Sequence, residues 1–492
     1  MYTALITSHP IIIQGGMGVG VSSWQLARAV SMNGQLGVIS GTATGVVMAR
    51  YLQAGDPGGH YRRAMEHFPV PSVAERILRS HYIAGGKAAT APFKLTSVPT
   101  LKMGAPLNEL TVAGNFAEIW LAKEGHSGVV GVNFLEKIQL PTLPSLFGVM
   151  LAGADYVLMG AGIPRSIPGA LDNLSQGKPV ELRIDVEDCG PGDVFDSHFD
   201  PRSIFDGEPP KLKRPNFLAI ISSATLAMAL ARKSNGQVNG FVIEGPTAGG
   251  HNAPPRGPMQ LNAIGEPIYG ERDIPELDKI KALGLPFWLA GSYGNRAKVK
   301  EALQLGAVGV QVGTAFAFCR ESGIDPILKA RALEMSRQGV ATVYTDPVAS
   351  PTGFPFKVFQ MKGSMSDPET YAKRTRICDL GYLRHLYRKQ DGSVGYRCPS
   401  EPVEDYLKKG GALADTVGRK CVCNGLVGTI GLAQPLADGT LEPMLMTAGD
   451  DAATVASFLK PGCDSYGARD VIDLLLGKVS ATPSPTGPAP RL

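Results

Sequence analysis

The sequence predicts an α/β fold, a TIM (β/α)8 barrel with long insertions and a C-terminal extension that contains cysteines. Eight short apolar runs occur along the chain, with helical patterns between several of them, and small residues, mostly glycine, end many of the runs. Strands buried on both faces of a parallel sheet are near-continuous apolar runs, and eight of them can close into a barrel. An open doubly wound sheet is the alternative, but its ligand chemistry would gather at one switch point.

The predicted strands are four to six residues long and apolar almost throughout. A helix over residues 24–32 is capped by Ser22 or Ser23, and an amphipathic helix over 295–305 ends at Gly306. Further helices are predicted over 115–123 and 145–152, before the third and fourth strands. The eight predicted strands cover residues 11–14, 37–40, 129–134, 156–160, 217–222, 240–244, 287–290 and 309–313.

Two connections are too long for simple helical crossovers, so insertions are expected at about 55–128 and 163–215. The hydrophobic pattern changes after about residue 335. The chain ends in a run of Ser, Thr, Pro and Gly whose composition predicts disorder. The predicted division is a barrel over 1–335, a C-terminal extension or small domain over 336–478, and a disordered tail over 479–492.

Composition excludes several classes of function. The net charge of the 492 residues is only +4, and the Lys and Arg residues are scattered, so neither nucleic acid nor an anionic membrane is an expected partner. No apolar run reaches the length of a membrane helix. The first residues lack a basic start and an apolar signal core, so a cytoplasmic location is expected. Seven cysteines in a chain of this length do not suggest a disulfide framework.

A glycine-rich stretch, Gly15-Gly16-Met17-Gly18-Val19-Gly20, directly follows the first predicted strand. The dinucleotide fingerprint requires G-x-G-x-x-G and an acidic residue about twenty positions further on. Here the spacing is G-x-G-x-G, and the next strand ends without an acid. In isolation the stretch is therefore best interpreted as a tight turn between strand and helix.

Small residues also close the last three predicted strands. These stretches are Thr247 to His251, Ala290-Gly291-Ser292 and Val312-Gly313-Thr314. TIM barrels often bind phosphate through backbone N–H groups of the loops after their last strands. The three stretches therefore predict a phosphate site, and the imidazole of His251 is placed to donate or accept a proton beside it.

Five motifs together resemble the nitronate monooxygenase (2-nitropropane dioxygenase) family. They are GGMGVG, VNF, EGPTAGGH, WLAGS and LGAVGVQVGTAFAFCRESG, within roughly residues 8–335. That family also includes FMN-dependent enoyl-acyl-carrier-protein reductases. The resemblance implies a TIM barrel that binds FMN without a covalent bond and acts as an oxidoreductase.

The resemblance assigns roles to individual residues. Gly16 and Met17 would line the isoalloxazine ring, and Asn133 would hydrogen-bond its edge. Ser223 matches a small polar position after the fifth strand. The ribityl phosphate would be held by Gly249, Gly250, Gly291, Ser292, Gly313 and Thr314, and the expected cofactor site also includes Gly15, Gly18, Glu244 and Ala248.

One segment departs from the best-known nitronate monooxygenases, which carry a histidine near the end of the fourth strand. Here the segment is Gly160-Ala161-Gly162-Ile163-Pro164, a form more like that of the enoyl reductases. His251 is then the candidate catalytic acid or base. The alternative is that His251 belongs to the phosphate loop and only shapes the pocket.

Four cysteines of the extension, Cys378, Cys398, Cys421 and Cys423, are as many thiols as a tetrahedral zinc or an iron–sulfur cluster requires. The usual C-x-x-C pairs are absent, so buried thiols without metal are slightly preferred, and no metal is assigned.

Three functions remain open. The first is oxidation of an alkyl nitronate with O2, and the second is NAD(P)H- and FMN-dependent reduction of an enoyl thioester, with His251 or water supplying the proton. The third is a flavin-binding accessory subunit of a lipid or polyketide assembly. The expected partner is a small-molecule substrate, and a homodimer and an acyl carrier protein are further candidates.

Overall fold

The computed structural model describes residues 9–478, and eight of its strands form a single parallel sheet in the order β1-β11-β10-β8-β7-β4-β3-β2. Each predicted strand coincides with one of these eight to within one residue at either end. The strands are β1 (Ile12–Gln14), β2 (Gly37–Ser40), β3 (Val130–Leu135), β4 (Tyr156–Gly160), β5 (Val180–Arg183), β6 (Asp196–Phe199), β7 (Asn216–Ile221), β8 (Gly240–Glu244), β9 (Gly250–His251), β10 (Phe287–Ala290), β11 (Gly309–Val312), β12 (Val343–Asp346), β13 (Phe356–Phe359), β14 (His385–Arg388) and β15 (Val394–Arg397).

The first and last strands of this sheet close it on itself. The backbone N–H of Gln14 donates to the carbonyl oxygen of Leu36 (2.9 Å), and the N–H of Leu36 donates to the carbonyl oxygen of Ile12 (3.1 Å). Since all eight strands are parallel and the edge strands are bonded to each other, the sheet is a closed barrel. The predicted TIM barrel is confirmed.

Side chains alternate between the inside and the outside of the barrel. Leu158 and Trp288 belong to a small apolar cluster inside it, whereas Val157 and Met159 pack in the larger cluster between the sheet and the helices. The indole Nε1 of Trp288 donates to the carbonyl oxygen of Pro10 (2.8 Å). The interior is therefore filled with side chains, and any ligand has to bind at the end of the barrel.

The helices surround the sheet. The α5 helix begins ten residues before its predicted start at 115, with Gly104 as its N-cap and a proline in its first turn. The helices are α1 (Trp24–Met32), α2 (Thr44–Gln53), α3 (His60–Glu66), α4 (Pro71–His81), α5 (Ala105–Lys123), α6 (Thr142–Leu151), α7 (Ile167–Ser175), α8 (Ala224–Lys233), α9 (Leu277–Lys281), α10 (Arg296–Gln304), α11 (Thr314–Ala317), α12 (Pro326–Arg337), α13 (Pro368–Lys373), α14 (Val403–Lys408), α15 (Val422–Thr429) and α16 (Ala468–Leu475).

The C-terminal extension packs directly on the barrel. Strands β12 and β13 form a hairpin, and β13 pairs with β9. The Tyr466 hydroxyl of the extension donates to the carbonyl oxygen of Ala315 (2.7 Å). One hydrophobic cluster contains side chains from both parts. The division at residue 335 into two domains stays a prediction, and the predicted disordered tail lies outside the described residues.

No helix within residues 9–478 combines the length and the apolar character needed to cross a membrane.

The pairing of β1 with β11 leaves no room for a side chain at Gly309. A Cβ atom there would lie 1.9 Å from the carbonyl oxygen of Ile11, which is backbone and cannot rotate away. We predict that Gly309→Ala lowers the free energy of unfolding by about 3 kcal/mol, measured by urea denaturation. Gly207→Ala is the control, because no atom lies within 4 Å of its added Cβ. Equal stability of the two variants would contradict this account.

Candidate functional site

A cavity opens at the carboxyl ends of the barrel strands. Of the fifteen residues predicted for the site, all but Ser223 and Ser292 line it. Ser223 instead caps α8, where its Oγ accepts a hydrogen bond from the N–H of Leu226 (3.2 Å). The lining residues that the sequence predicted are Gly15, Gly16, Met17, Gly18, Asn133, Glu244, Ala248, Gly249, Gly250, His251, Gly291, Gly313 and Thr314.

Two glycines let the backbone approach its neighbours too closely for any side chain. A Cβ at Gly16 would lie 2.3 Å from the Cβ of Asn133. A Cβ at Gly249 would lie 2.8 Å from the backbone of Ala448. The glycines of these loops therefore keep the floor and one wall of the cavity open.

Two buried amide side chains of the lining have oxygens without a partner. The Asn133 Oδ1 and the Gln311 Oε1 accept no hydrogen bond from residues 9–478. The Asn133 Nδ2 donates to the carbonyl oxygen of Gly16 (3.4 Å). Sequence reasoning missed Gln311 because it lies inside an apolar strand. Two unpaired acceptors at the rim of one cavity indicate a ligand with hydrogen-bond donors.

Backbone donors are also free at the ends of two strands beside the cavity. The N–H groups of Gly291, Ser292, Gly313 and Thr314 have no hydrogen-bond partner within the part of the chain that the structure describes. They follow β10 and β11, which are neighbours in the sheet. Gly291 (φ +95°) and Ser292 (φ +55°) are successive residues with positive φ, so the chain turns away from the sheet directly after β10.

One predicted phosphate donor is already used by the protein. The N–H of Gly250 donates to the Thr447 Oγ1 (2.8 Å), so it is not free for a ligand. The neighbouring segment of the extension contacts the same loops. The N–H of Gly449 donates to the Thr314 Oγ1 (2.9 Å), and the N–H of Asp450 donates to the carbonyl oxygen of Thr247 (3.1 Å).

The extension thus covers the cavity, which the sequence did not predict. These residues carry no periodic pattern or known motif, and their position depends on tertiary packing alone. The lining residues contributed by the extension are Phe356, Leu380, Tyr382, Leu383, Val422, Cys423, Leu426, Thr447, Ala448 and Asp451.

Glu244 brings an uncharged carboxyl group to the cavity. Burial raises its pKa to about 8, and its side chain has no hydrogen-bond partner among residues 9–478. At pH 7 the group is therefore mostly protonated and able to donate a proton. The described lining contains neither Lys nor Arg.

His251 lies on β9, where it pairs with Phe356 of β13. Its Nε2 is 2.7 Å from the Ser350 Oγ, and its ring packs against the ring of Phe356 with a centroid distance of 4.7 Å. Burial lowers the pKa of His251 to about 4, so the imidazole is neutral at pH 7. It can form hydrogen bonds there but brings no positive charge.

The four cysteines of the extension line a second, smaller cavity, and none of them forms a disulfide. Within residues 9–478, no group of three or more His, Cys, Asp and Glu side chains is arranged to hold a metal ion. The zinc alternative therefore has no support.

Residues 172–350 match the family model described as nitronate monooxygenase, which confirms the resemblance over that segment. The probable nitronate monooxygenase of Bacillus subtilis (strain 168) is 37% identical over 125 residues, which are 25% of this chain. The match spans about a third of that relative (34%).

Solved structures with a similar arrangement include FabK from Thermotoga maritima, with a TM-score of 0.48 and 15% identity over 96% of this chain and 92% of that chain. Nitroalkane oxidase from Streptomyces ansochromogenes has a TM-score of 0.47 and 15% identity over 95% of each chain.

Acid should destabilise the protein through His251. The folded chain binds the imidazole proton only near pH 4, whereas the unfolded chain binds it near pH 6.5, so lowering the pH favours unfolding. We predict that His251→Gln loses about 2 kcal/mol less unfolding free energy than the wild type between pH 7 and pH 5, measured by urea denaturation at both values. An equal loss in both proteins would show that His251 titrates normally.

Proposed function

We propose that this chain binds FMN in the barrel cavity and is an FMN-dependent oxidoreductase. The observation that carries the proposal is a set of unpartnered N–H groups on residues that line the cavity, those of Gly291, Gly313 and Thr314. The same lining contains two amide oxygens without a partner among residues 9–478. FMN has a dianionic phosphate at one end and a ring with N–H and carbonyl groups at the other. Free amide donors suit the phosphate, and unpaired amide oxygens suit the ring N–H group.

At the phosphate end, the donors are the N–H groups of Gly291, Ser292, Gly313 and Thr314. Backbone amides bind an anion without adding a counter-charge, which fits a cavity whose lining has no Lys or Arg. The Gly249 loop lies against Ala448 and completes this wall.

At the ring end, residues 15–18 line the cavity, and Gln311 and Asn133 would provide acceptors for ring N–H groups. Bound FMN would supply the transfer of electrons or hydride, while the protein orients the substrate and excludes water.

Oxidation of an alkyl nitronate with O2 is the first candidate reaction. It is supported by the family match over residues 172–350 and by the printed name of the Bacillus subtilis relative. A nitronate already lacks the acidic proton, so its oxidation needs no base at Gly160. His251 would contribute a neutral hydrogen-bonding group beside the substrate.

Reduction of an enoyl thioester, with NAD(P)H as the source of hydride, is the second candidate, and the chemistry of the cavity favours it. The described lining has no cationic side chain to bind an anionic nitronate, and Gly160 and Ala161 line the wall where the other class carries a histidine. The protonated carboxyl of Glu244 supplies the proton that the substrate carbon takes up after hydride transfer.

The phosphate site predicts a strong preference for FMN over riboflavin. Two or more charge-assisted hydrogen bonds are worth about 3 kcal/mol together, so FMN should bind about 100-fold more tightly in a fluorescence titration. Gly291→Ala should reduce this ratio, because the added Cβ lies 2.9 Å from the Thr247 Oγ1 and the residue has φ +95°. Gly284→Ala is the matched control, with φ +70° and no atom within 4 Å. Equal affinity for the two flavins, or a preparation that binds neither, would overturn the proposal.

The two candidate reactions are distinguished by the compound that reduces the flavin. Flavin reduction by a nitronate without nicotinamide identifies the first, and NAD(P)H oxidation that depends on an enoyl thioester identifies the second.

If the enoyl thioester is the substrate, the rate should fall above about pH 8, where Glu244 loses its proton. Glu244→Gln should lower the rate at least about 100-fold and abolish that pH limb, while reduction of FMN by NAD(P)H stays unchanged. An unaltered pH profile in Glu244→Gln would exclude Glu244 as the acid.

A further inference from the structure

Asp451 of the extension brings a carboxyl group to the loop that follows β10. Its side chain lines the barrel cavity, and its Oδ2 accepts a hydrogen bond from the N–H of Gly294 (3.2 Å). The hydroxyl of Ser292 also lies close to this carboxyl group. Asp451 is therefore in contact with the loop within three residues of the free N–H of Gly291. No step proposed above uses it.

The segment that contains this carboxyl group also contacts the other phosphate loops. The N–H of Gly449 donates to the Thr314 Oγ1 (2.9 Å), and the N–H of Asp450 donates to the carbonyl oxygen of Thr247 (3.1 Å). Because Gly449, Asp450 and Asp451 are consecutive, three successive residues touch the loops after β8, β10 and β11. Backbone hydrogen bonds thus fix the carboxyl group next to the free amide donors.

This carboxyl group has no cationic partner. Asp451 forms no ion pair among residues 9–478, and the described lining of the cavity has no Lys or Arg. The Nζ of Lys357 is 2.6 Å from the Oδ1 of the neighbouring Asp450, so its charge is already paired. Burial is the largest cause that raises the pKa of Asp451, and the hydrogen bonds from Ser292 and Gly294 offset it only in part.

The other titratable groups around this segment have partners of their own or keep their protonation state. Burial raises the pKa of Tyr293, so its hydroxyl stays protonated. Helices α11, α12 and α16 pack on residues 450–458, and α11 has no titratable side chain. The charged side chains of α10, α12 and α16 contact other groups, including Lys298 with Glu301, Lys329 with the carbonyl oxygen of Ser322, Arg331 with that of Lys362, Arg337 with Glu334, Asp470 with Lys460, and Asp473 with Arg469.

We propose that Asp451 takes up a proton when the phosphate of FMN binds and then donates an O–H hydrogen bond to a phosphate oxygen. This inference rests on the proposed binding of FMN in the barrel cavity. One proton passes from solvent to the carboxylate, and no other bond is made or broken. A carboxylate without a cation would repel the phosphate dianion across a partly buried site, whereas the protonated group attracts it.

The sign of the pH dependence follows from this proton. Since the complex binds one proton more than the free chain, the affinity for FMN falls as the pH rises, by at most about tenfold per pH unit. Riboflavin has no phosphate, so its affinity does not depend on Asp451. The phosphate of FMN itself titrates near pH 6, and Glu244 and His251 titrate in the same cavity. These groups are present in an Asp451 variant too, so a comparison with that variant removes their contribution.

The test is a fluorescence titration of the full chain, freed of flavin, with FMN and with riboflavin at pH 6, 7 and 8. Asp451→Asn keeps the size of the side chain and an oxygen that accepts from Gly294. We expect the ratio of the Kd for FMN of the wild type to that of Asp451→Asn to rise about tenfold or more between pH 6 and pH 8. The same ratio for riboflavin should stay constant. Asp464→Asn is the control and should behave as the wild type, because Asp464 is 96% exposed.

Asp451→Ala removes the same carboxyl group and should give the same result if Asp451→Asn does not fold. A ratio for FMN that does not change with pH, whatever its size, would overturn the proposal and leave the proposed function intact. A pH-dependent ratio of equal size with riboflavin would also overturn it, because Asp451 would then not respond to the phosphate. Failure of the wild type to bind either flavin at any pH would refute the proposed function itself.

Discussion

The candidate site depends on backbone N–H groups at the ends of β10 and β11 that have no hydrogen-bond partner among residues 9–478. A closed parallel barrel brings the carboxyl ends of all its strands to one rim, and there the chain turns away before its N–H groups can join the ladder. Positive φ at Gly291 and Ser292 turns the chain away from the sheet there. A single unpaired N–H group at this position would donate to a water molecule. Several of them at the ends of neighbouring strands suit an anion with several oxygens.

The C-terminal extension contributes to the cavity lining, and ion pairs between its own segments brace it. The Nζ of Lys357 is 2.6 Å from the Asp450 Oδ1, and the carbonyl oxygen of Lys357 accepts from the Thr447 Oγ1 (2.6 Å). Further away, Arg374 and Glu442 are 3.3 Å apart, with side chains 1% and 0% exposed. Losing one partner of such a pair typically costs about 3–5 kcal/mol, because the other charge stays buried. The segment over the phosphate loops is therefore fixed by electrostatics as well as by packing.

The sequence predicts those parts of the fold and of the candidate site that depend on local residue patterns. The eight barrel strands are found to within a residue because burial on both faces demands continuous apolar runs, and glycine ends many of them. The lining from Gly15 to Gly18 and from Ala248 to His251 follows from the same local pattern. Ser223 illustrates the limit, since a serine after a strand is equally suited to cap the next helix.

Features that depend on distant parts of the chain were not predictable. Thr447 and Asp451 bond to loops of the barrel that are 197 and 157 residues away in the sequence, and no local pattern marks them. The four cysteines were visible as a set, but their spacing matches no standard pattern. Only the fold shows that they share one cavity and which backbone N–H groups face their sulfurs.

The two titratable groups of the central loop, Glu244 and His251, are shifted in opposite directions, with pKa values of about 8 and about 4. Burial causes both shifts, since it disfavours the charged form of an acid and of a base alike. Between these values both side chains are predominantly neutral. A phosphate bound there would add its negative charge to a cavity with no cationic side chain in its described lining. A neutral substrate then has a lower electrostatic free energy of transfer into the cavity than an anionic one. This difference favours the thioester over the nitronate.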